Sequence, residues 1–122
     1  MAETKHAYIE LYNYTQSWRD LPQNERSSFT KAVDSAIEEM RKNGADVLGF
    51  GFNEHATDRR APYDFFCIYT LPSSDFARSF EQQVEASGWY GYFEQKNLSG
   101  PLETPATILG HNVMLDGPEG IA

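Results

Sequence analysis

The stretch from Asp46 to Leu71, DVLGFGFNEHATDRRAPYDFFCIYTL, limits the fold more tightly than any other part of the chain. Val47 to Phe52 is apolar and punctuated by glycine, and Phe65 to Leu71 is rich in aromatic and β-branched residues. Both have the length and composition of buried strands. Asn53 to Pro62 between them is polar, holding His55, Asp58, Arg59 and Arg60. A tight hairpin needs only two to five residues, so this loop is longer than the connection requires.

The flanking segments supply the remaining elements. Lys5 to Tyr14 alternates, with Ala7, Ile9 and Leu11 on one face and Tyr8, Glu10, Tyr12 and Tyr14 on the other. This predicts a strand whose aliphatic face is the dry one. Thr15 to Asp20 reads as a turn, and Asp20-Leu21-Pro22 as a helix start. Phe29, Val33, Ala36, Ile37 and Met40 then recur at helical spacing, and Asn43-Gly44 stops the helix. Leu71-Pro72 ends the third strand, and Ser73, Ser74 and Asp75 offer caps for a second helix striped by Phe76, Phe80 and Val84. Gly88 closes that helix ahead of the aromatic cluster Trp89 to Phe93. Glu94 to Ser99 is the candidate fourth strand, residues 101–107 read as a linker, and Ile108 to Leu115 as a short helix or a closing strand. The Gly- and Pro-rich tail after Asp116 is expected to fray.

The order is β-α-β-β-α-β with a carboxy-terminal extension. That is the α+β, ferredoxin-like pattern: a four-stranded antiparallel sheet with both helices on one face. The 122 residues suit one domain, with a core over about 6–100 and an extension over 101–122. The second face of the sheet is expected to be aromatic and too apolar to leave wet, so a homodimer through that face follows.

Composition removes several classes. Eighteen acidic residues against ten basic ones give a net charge of −8, which argues against nucleic acid and against anionic lipid as partners. Cys67 is the only cysteine, so an intrachain disulfide and a cysteine-based metal site are excluded. No secretory signal or membrane-spanning run is visible, and a reducing, cytoplasmic setting is expected. The histidines His6, His55 and His111 share no metal-ligand spacing, so no bound metal and no cofactor are expected. No Gly-rich phosphate loop, GxSxG or HExxH motif is present.

Several residues resemble those of a family of small bacterial proteins of unknown function. They are Tyr8-Ile9-Glu10-Leu11-Tyr12-Asn13, Gly49-Phe50-Gly51, Arg60-Ala61-Pro62-Tyr63-Asp64-Phe65-Phe66, and Gly88 through Gln95. That family is similar in layout to the dimeric α/β-barrel superfamily, which includes antibiotic-biosynthesis monooxygenases, EthD-like proteins, polyketide cyclases and muconolactone isomerases. The resemblance covers most of residues 7–100 and implies a fold and a dimer. It carries over no catalytic set.

Candidate chemistry rests on individual residues. Glu10, set between Tyr8 and Tyr12, is a candidate general base if its face lines a cavity, because desolvation raises a carboxyl pKa. The alternative is a cross-sheet ion pair. His55, on the long loop, is the candidate histidine acid or base. Arg59 and Arg60 suit an anionic substrate, or else bond loop carboxylates and strand-end carbonyls. Trp89, Tyr90, Tyr92 and Phe93 would stack on a flat ligand, or else anchor the helix end and fill the dimer contact; Tyr63 belongs to the charge-dense turn with Arg59 and Arg60, and Asn97 would hydrogen-bond a ligand or cap a turn. Cys67 reads as a small core residue. Together these predict a pocket beside the loop from Asn53 to Tyr63, lined by Tyr8, Glu10, Tyr12, Tyr63, Trp89 and Tyr92, for a planar, anionic aromatic compound. Two functions remain open. One is a cofactor-independent oxygenase, cyclase or isomerase acting on an aromatic or polyketide-like substrate. The other is a non-catalytic dimer that binds a metabolite or a partner.

Overall fold

The computed structural model describes residues 5–116; the tail after Asp116, expected to fray, lies outside them. Strand β1 (His6–Tyr14) is followed by a short helix α1 (Gln16–Asp20) and a long helix α2 (Gln23–Lys42). Strands β2 (Asp46–Phe52) and β3 (Phe65–Leu71) flank the polar loop. Helix α3 (Ser74–Ala86), a 3-10 turn (Trp89–Gly91), strand β4 (Phe93–Pro101) and helix α4 (Pro105–Val113) complete the order. The sheet runs β2-β3-β1-β4 with every pairing antiparallel, which is the ferredoxin-like arrangement.

Residues 15–20 form a helix rather than a turn. Thr15 caps it, its side chain accepting from the Trp18 amide, and Leu21 ends it in an extended conformation. Pro22 enforces that break, since the residue before a proline is driven out of helical geometry. Asp20 therefore closes α1 instead of opening α2, and Pro22 itself is the N-cap of α2. Ser73 caps α3, its hydroxyl accepting from the Phe76 amide. The carboxy-terminal segment takes the helical alternative. Thr104 caps α4, Pro105 stands in its first turn, and the helix occupies part of the stretch read as a linker.

One expectation is reversed. The helices cover the face of β1 that carries Tyr8, Glu10 and Tyr12, all buried, and not the face that carries Ile9 and Leu11. Register shows why both faces looked plausible. Tyr8, Glu10 and Tyr12 stand opposite Tyr69, Cys67 and Phe65 on β3, and Phe80 of α3 packs edge-on to Tyr8 and Tyr69. Ile9 and Leu11 stand opposite Ile68 and Phe66 on β3, and next to Leu98 and Lys96 on β4. The uncovered face is thus mainly aliphatic, and the aromatic row lies under the helices. The larger aromatic side chains remove more apolar area from water per residue, which favours their burial over that of Ile9 and Leu11.

A second aromatic cluster closes the end of the sheet where β1 runs into α1. Trp18 and Trp89 pack on Phe93, and Phe29 of α2 stacks on Trp89. These contacts, with buried Met40 near the other end of α2, hold that helix over the sheet. Small or branched residues lie along α2 between them: Ala32, Val33, Ala36 and Ile37. The middle of α2 does not fill the space above the strands.

Candidate functional site

The unfilled space is a cavity of about 270 Å³ between α2, α3 and the sheet. Phe29, Ala32, Val33, Ala36, Ile37 and Met40 form the α2 wall. Phe80, Gln83, Val84, Ser87 and Trp89 close the α3 side, and Glu10, Tyr12, Phe50 and Tyr69 form the floor. Its size is close to the lower end of small-molecule sites, roughly 300–1,000 Å³.

The floor carries the chemistry. Glu10 is only 3% exposed. Tyr12 Oη donates to its Oε1 at 2.5 Å, and Gln95 Nε2 donates to its Oε2 at 2.7 Å. Trp89 fixes the sense of this network. An indole N–H can only donate, so Gln95 Oε1 must accept from Trp89 Nε1, at 2.7 Å. The Gln95 amide nitrogen is thereby turned to Glu10 and to Asn97 Oδ1, and Asn97 Nδ2 donates to the Tyr8 hydroxyl at 2.8 Å. Among the described residues no Lys or Arg pairs with Glu10; the ion pairs found lie on exposed helix surfaces.

Burial pushes the Glu10 carboxyl above the ordinary carboxylate range, against the hydrogen bonds donated by Tyr12, Gln95 and Tyr69; nearby Glu81 pushes the same way as burial. Burial first, then the Glu10 charge, raises the phenols of Tyr8, Tyr12 and Tyr69 well above their ordinary range. These hydroxyls stay protonated and act as donors. Burial also pushes the Cys67 thiol up to about 12, which makes it inert as a nucleophile at neutral pH.

Five of the residues singled out from sequence meet here: Glu10, Tyr12 and Trp89 at the cavity wall, with Tyr8 and Asn97 behind it in the same network. Tyr92 packs against Trp18 and Phe29, and its carbonyl accepts from Thr15 Oγ1 at 2.7 Å; it does not line the cavity. No residue of the loop between β2 and β3 lines it either. That loop is tied to itself. Asn53 Nδ2 donates to the Ala61 and Tyr63 carbonyls, His55 Nε2 donates to the Tyr63 carbonyl at 2.6 Å, and an Arg60 guanidinium N–H donates to the Glu54 carbonyl at 2.6 Å. Arg59 is exposed. The pocket is therefore formed under α2 and not beside the loop, and no arginine faces it. Among the described residues no cluster of metal-ligating side chains is found.

Sequence reasoning passed over Gln95, Tyr69 and Phe50. Gln95 is recognisable only once the β1–β4 register sets it opposite Tyr12 and beside Glu10. Phe29, Val33 and Ile37 carry the right helical period, but that period does not distinguish a packed core from a cavity wall.

Fold and site together define a ferredoxin-like α+β protein with a buried carboxyl at the floor of an apolar cavity. The chain belongs to a family of unknown function, DUF6616, matched over residues 5–115. A search of curated proteins finds no match. Among solved structures, three substituted forms of chlorite dismutase from Candidatus Nitrospira defluvii share the fold. One has a TM-score of 0.67 at 15% identity and covers 98% of this chain and 46% of its own. A second has 0.67 at 14%, covering 89% and 45%, and a third 0.66 at 15%, covering 89% and 45%. This chain spans less than half the length of those proteins.

Proposed function

We propose that this protein is an enzyme that acts on a small aromatic or polyketide-like compound without a cofactor, as an oxygenase, cyclase or isomerase. One observation carries the reading: a buried carboxyl with no cationic partner among the described residues stands in the wall of an apolar cavity large enough for a one- or two-ring molecule. Structural carboxylates are rarely left so deep without a counter-charge. A desolvated carboxyl with a raised pKa suits proton transfer near neutrality. In this reading Glu10 moves the proton. Tyr12 and Tyr69 donate their hydroxyls to Glu10 and so set how readily its carboxyl gives up and takes back the proton. Gln95, Asn97, Tyr8 and Trp89 hold Glu10 in place. His55, Arg59, Arg60, Tyr63 and Tyr92 take no part at the cavity. Solved proteins of this fold that are enzymes support the reading at the level of fold alone.

A panel of phenols, naphthoquinones and aromatic acids, screened by thermal shift, should contain compounds that raise the melting temperature. A compound that binds should also be consumed, and Glu10→Gln should abolish turnover while binding persists. Binding without turnover across the panel would favour the second reading, a non-catalytic metabolite-binding protein. That alternative has its own support: both Glu10 oxygens already accept hydrogen bonds from the protein.

A homodimer through the uncovered sheet face belongs to the same proposal. Leu98 is well exposed there, beside Ile9, Leu11, Phe66 and Ile68, and a contiguous apolar surface of this kind favours a partner. A cytoplasmic setting is also part of it, supported by a lone, buried thiol at Cys67.

A further inference from the structure

We infer that the cavity is a site for a cationic aromatic amine, whose ammonium group sits against Glu10 and the ring faces around it. The inference rests on the reading of the cavity as a small-molecule site, and adds the sign of the ligand's charge.

The lining has three properties that converge on a cation. It carries six aromatic side chains, Tyr12, Phe29, Phe50, Tyr69, Phe80 and Trp89, whose ring faces attract positive charge. Glu10 is its only ionisable carboxyl, and it contains no Lys, Arg or His. An anion entering this space would meet a carboxyl, tyrosine hydroxyls and no counter-charge. A cation would supply the charge that Glu10 lacks. The wider field has the same sign. Glu81 on α3 acts on Glu10 from nearby, and the whole chain carries −8. Such a field favours the encounter of cations and repels anions. Volume limits the skeleton. About 270 Å³ is the room taken by roughly nine waters at about 30 Å³ each, which suits one or two rings and a short amine arm.

Binding of such an amine has a proton balance. In the empty cavity burial favours the protonated carboxyl at Glu10. When the ammonium enters, the carboxyl gives its proton to solvent and becomes the carboxylate; the amine keeps its own proton. One positive charge goes in and one proton comes out. The ligand thereby shifts Glu10 toward the carboxylate, the form that serves as a base. The groups that face Glu10 permit this. On β1 and β3 they are the phenols of Tyr8, Tyr12 and Tyr69 and the thiol of Cys67, all held protonated by burial, and on the 3-10 turn the phenol of Tyr90. Helix α3 contributes Glu81, and α2 presents no charged side chain to the cavity.

A matched series tests the inference on the full chain: 2-naphthylmethylamine, 2-naphthylmethanol and 2-naphthoate, which share a skeleton and differ in charge. Titration calorimetry in buffers of different ionisation enthalpy reads affinity and proton release together. The amine should bind at least about tenfold more tightly than the alcohol, and the naphthoate weakest. Amine binding should release a proton at pH values where Glu10 is protonated. Glu10→Gln should erase both the preference and the release while alcohol binding survives, which also shows that the variant is folded. Equal affinities, or tighter binding of the alcohol or the naphthoate, would overturn the cation assignment and leave the small-molecule site standing. Amine binding without proton release would overturn the coupling to Glu10. If none of the three binds, the small-molecule reading itself fails, and the inference with it.

Discussion

Glu10 makes the stability of this protein depend on pH in an unusual direction. Its folded-state pKa lies above the unfolded value, so between the two the folded protein holds a proton that the unfolded chain has lost. Stability is then fully present below the ordinary carboxylate range and declines as pH rises through the folded pKa. The slope for one such proton approaches 1.4 kcal/mol per pH unit, to order of magnitude. Urea titrations from pH 4 to 8 should show this decline, and Glu10→Gln should flatten it and be the more stable protein at neutral pH. Tyr12→Phe removes the donor at Glu10 Oε1 and should cost about 1–3 kcal/mol, read as a lower urea midpoint with an unchanged m-value. At this scale the sequence was partly legible. An acid between two tyrosines on a strand stands out because burying a carboxylate is costly. Gln95 did not stand out, because a glutamine on a weakly alternating strand has no distinguishing pattern until pairing places it.

Among the elements, the helices and strands follow their apolar periods, and what periodicity leaves undetermined is which face of β1 meets the helices. Alternation separates Tyr8, Glu10 and Tyr12 from Ile9 and Leu11, and both sets are apolar enough to bury. The choice is made by partners distant in sequence: Phe80 and Trp89 on one side, Phe66, Ile68 and Leu98 on the other. Phe80, 8% exposed and packed on Tyr8 and Tyr69, should cost roughly 3–5 kcal/mol on truncation to alanine, measured by chemical denaturation. The edge of the sheet offers a more specific test. A Cβ built on Gly51 would come within 2.6 Å of the Phe66 ring, so that ring lies directly over the glycine. Gly51→Ala should destabilise by about 1–3 kcal/mol, and Phe66→Leu in the same chain should recover part of the loss.

Among the described residues, apolar surface stands exposed on the open sheet face at Leu98, on helix α4 at Leu109 and Val113, and along β2 at Leu48, Phe50 and Phe52. Light scattering at micromolar concentration should give twice the chain mass. Leu98→Arg, at a site facing solvent in the single chain, should return the monomer mass without unfolding it. A monomeric wild-type protein would refute the dimer.

Trp89 turns the cavity into its own optical reporter. Its indole touches the cavity space on one side, is hydrogen-bonded to Gln95 and stacks on Phe93. Trp18, the other tryptophan, packs on Phe93 and Tyr92 outside the lining. In a Trp18→Phe background, all tryptophan emission would arise from one chromophore at the mouth of the network. Occupation of the cavity would then be visible as a change in quantum yield or emission wavelength, without any label attached to the protein or to the compound it binds.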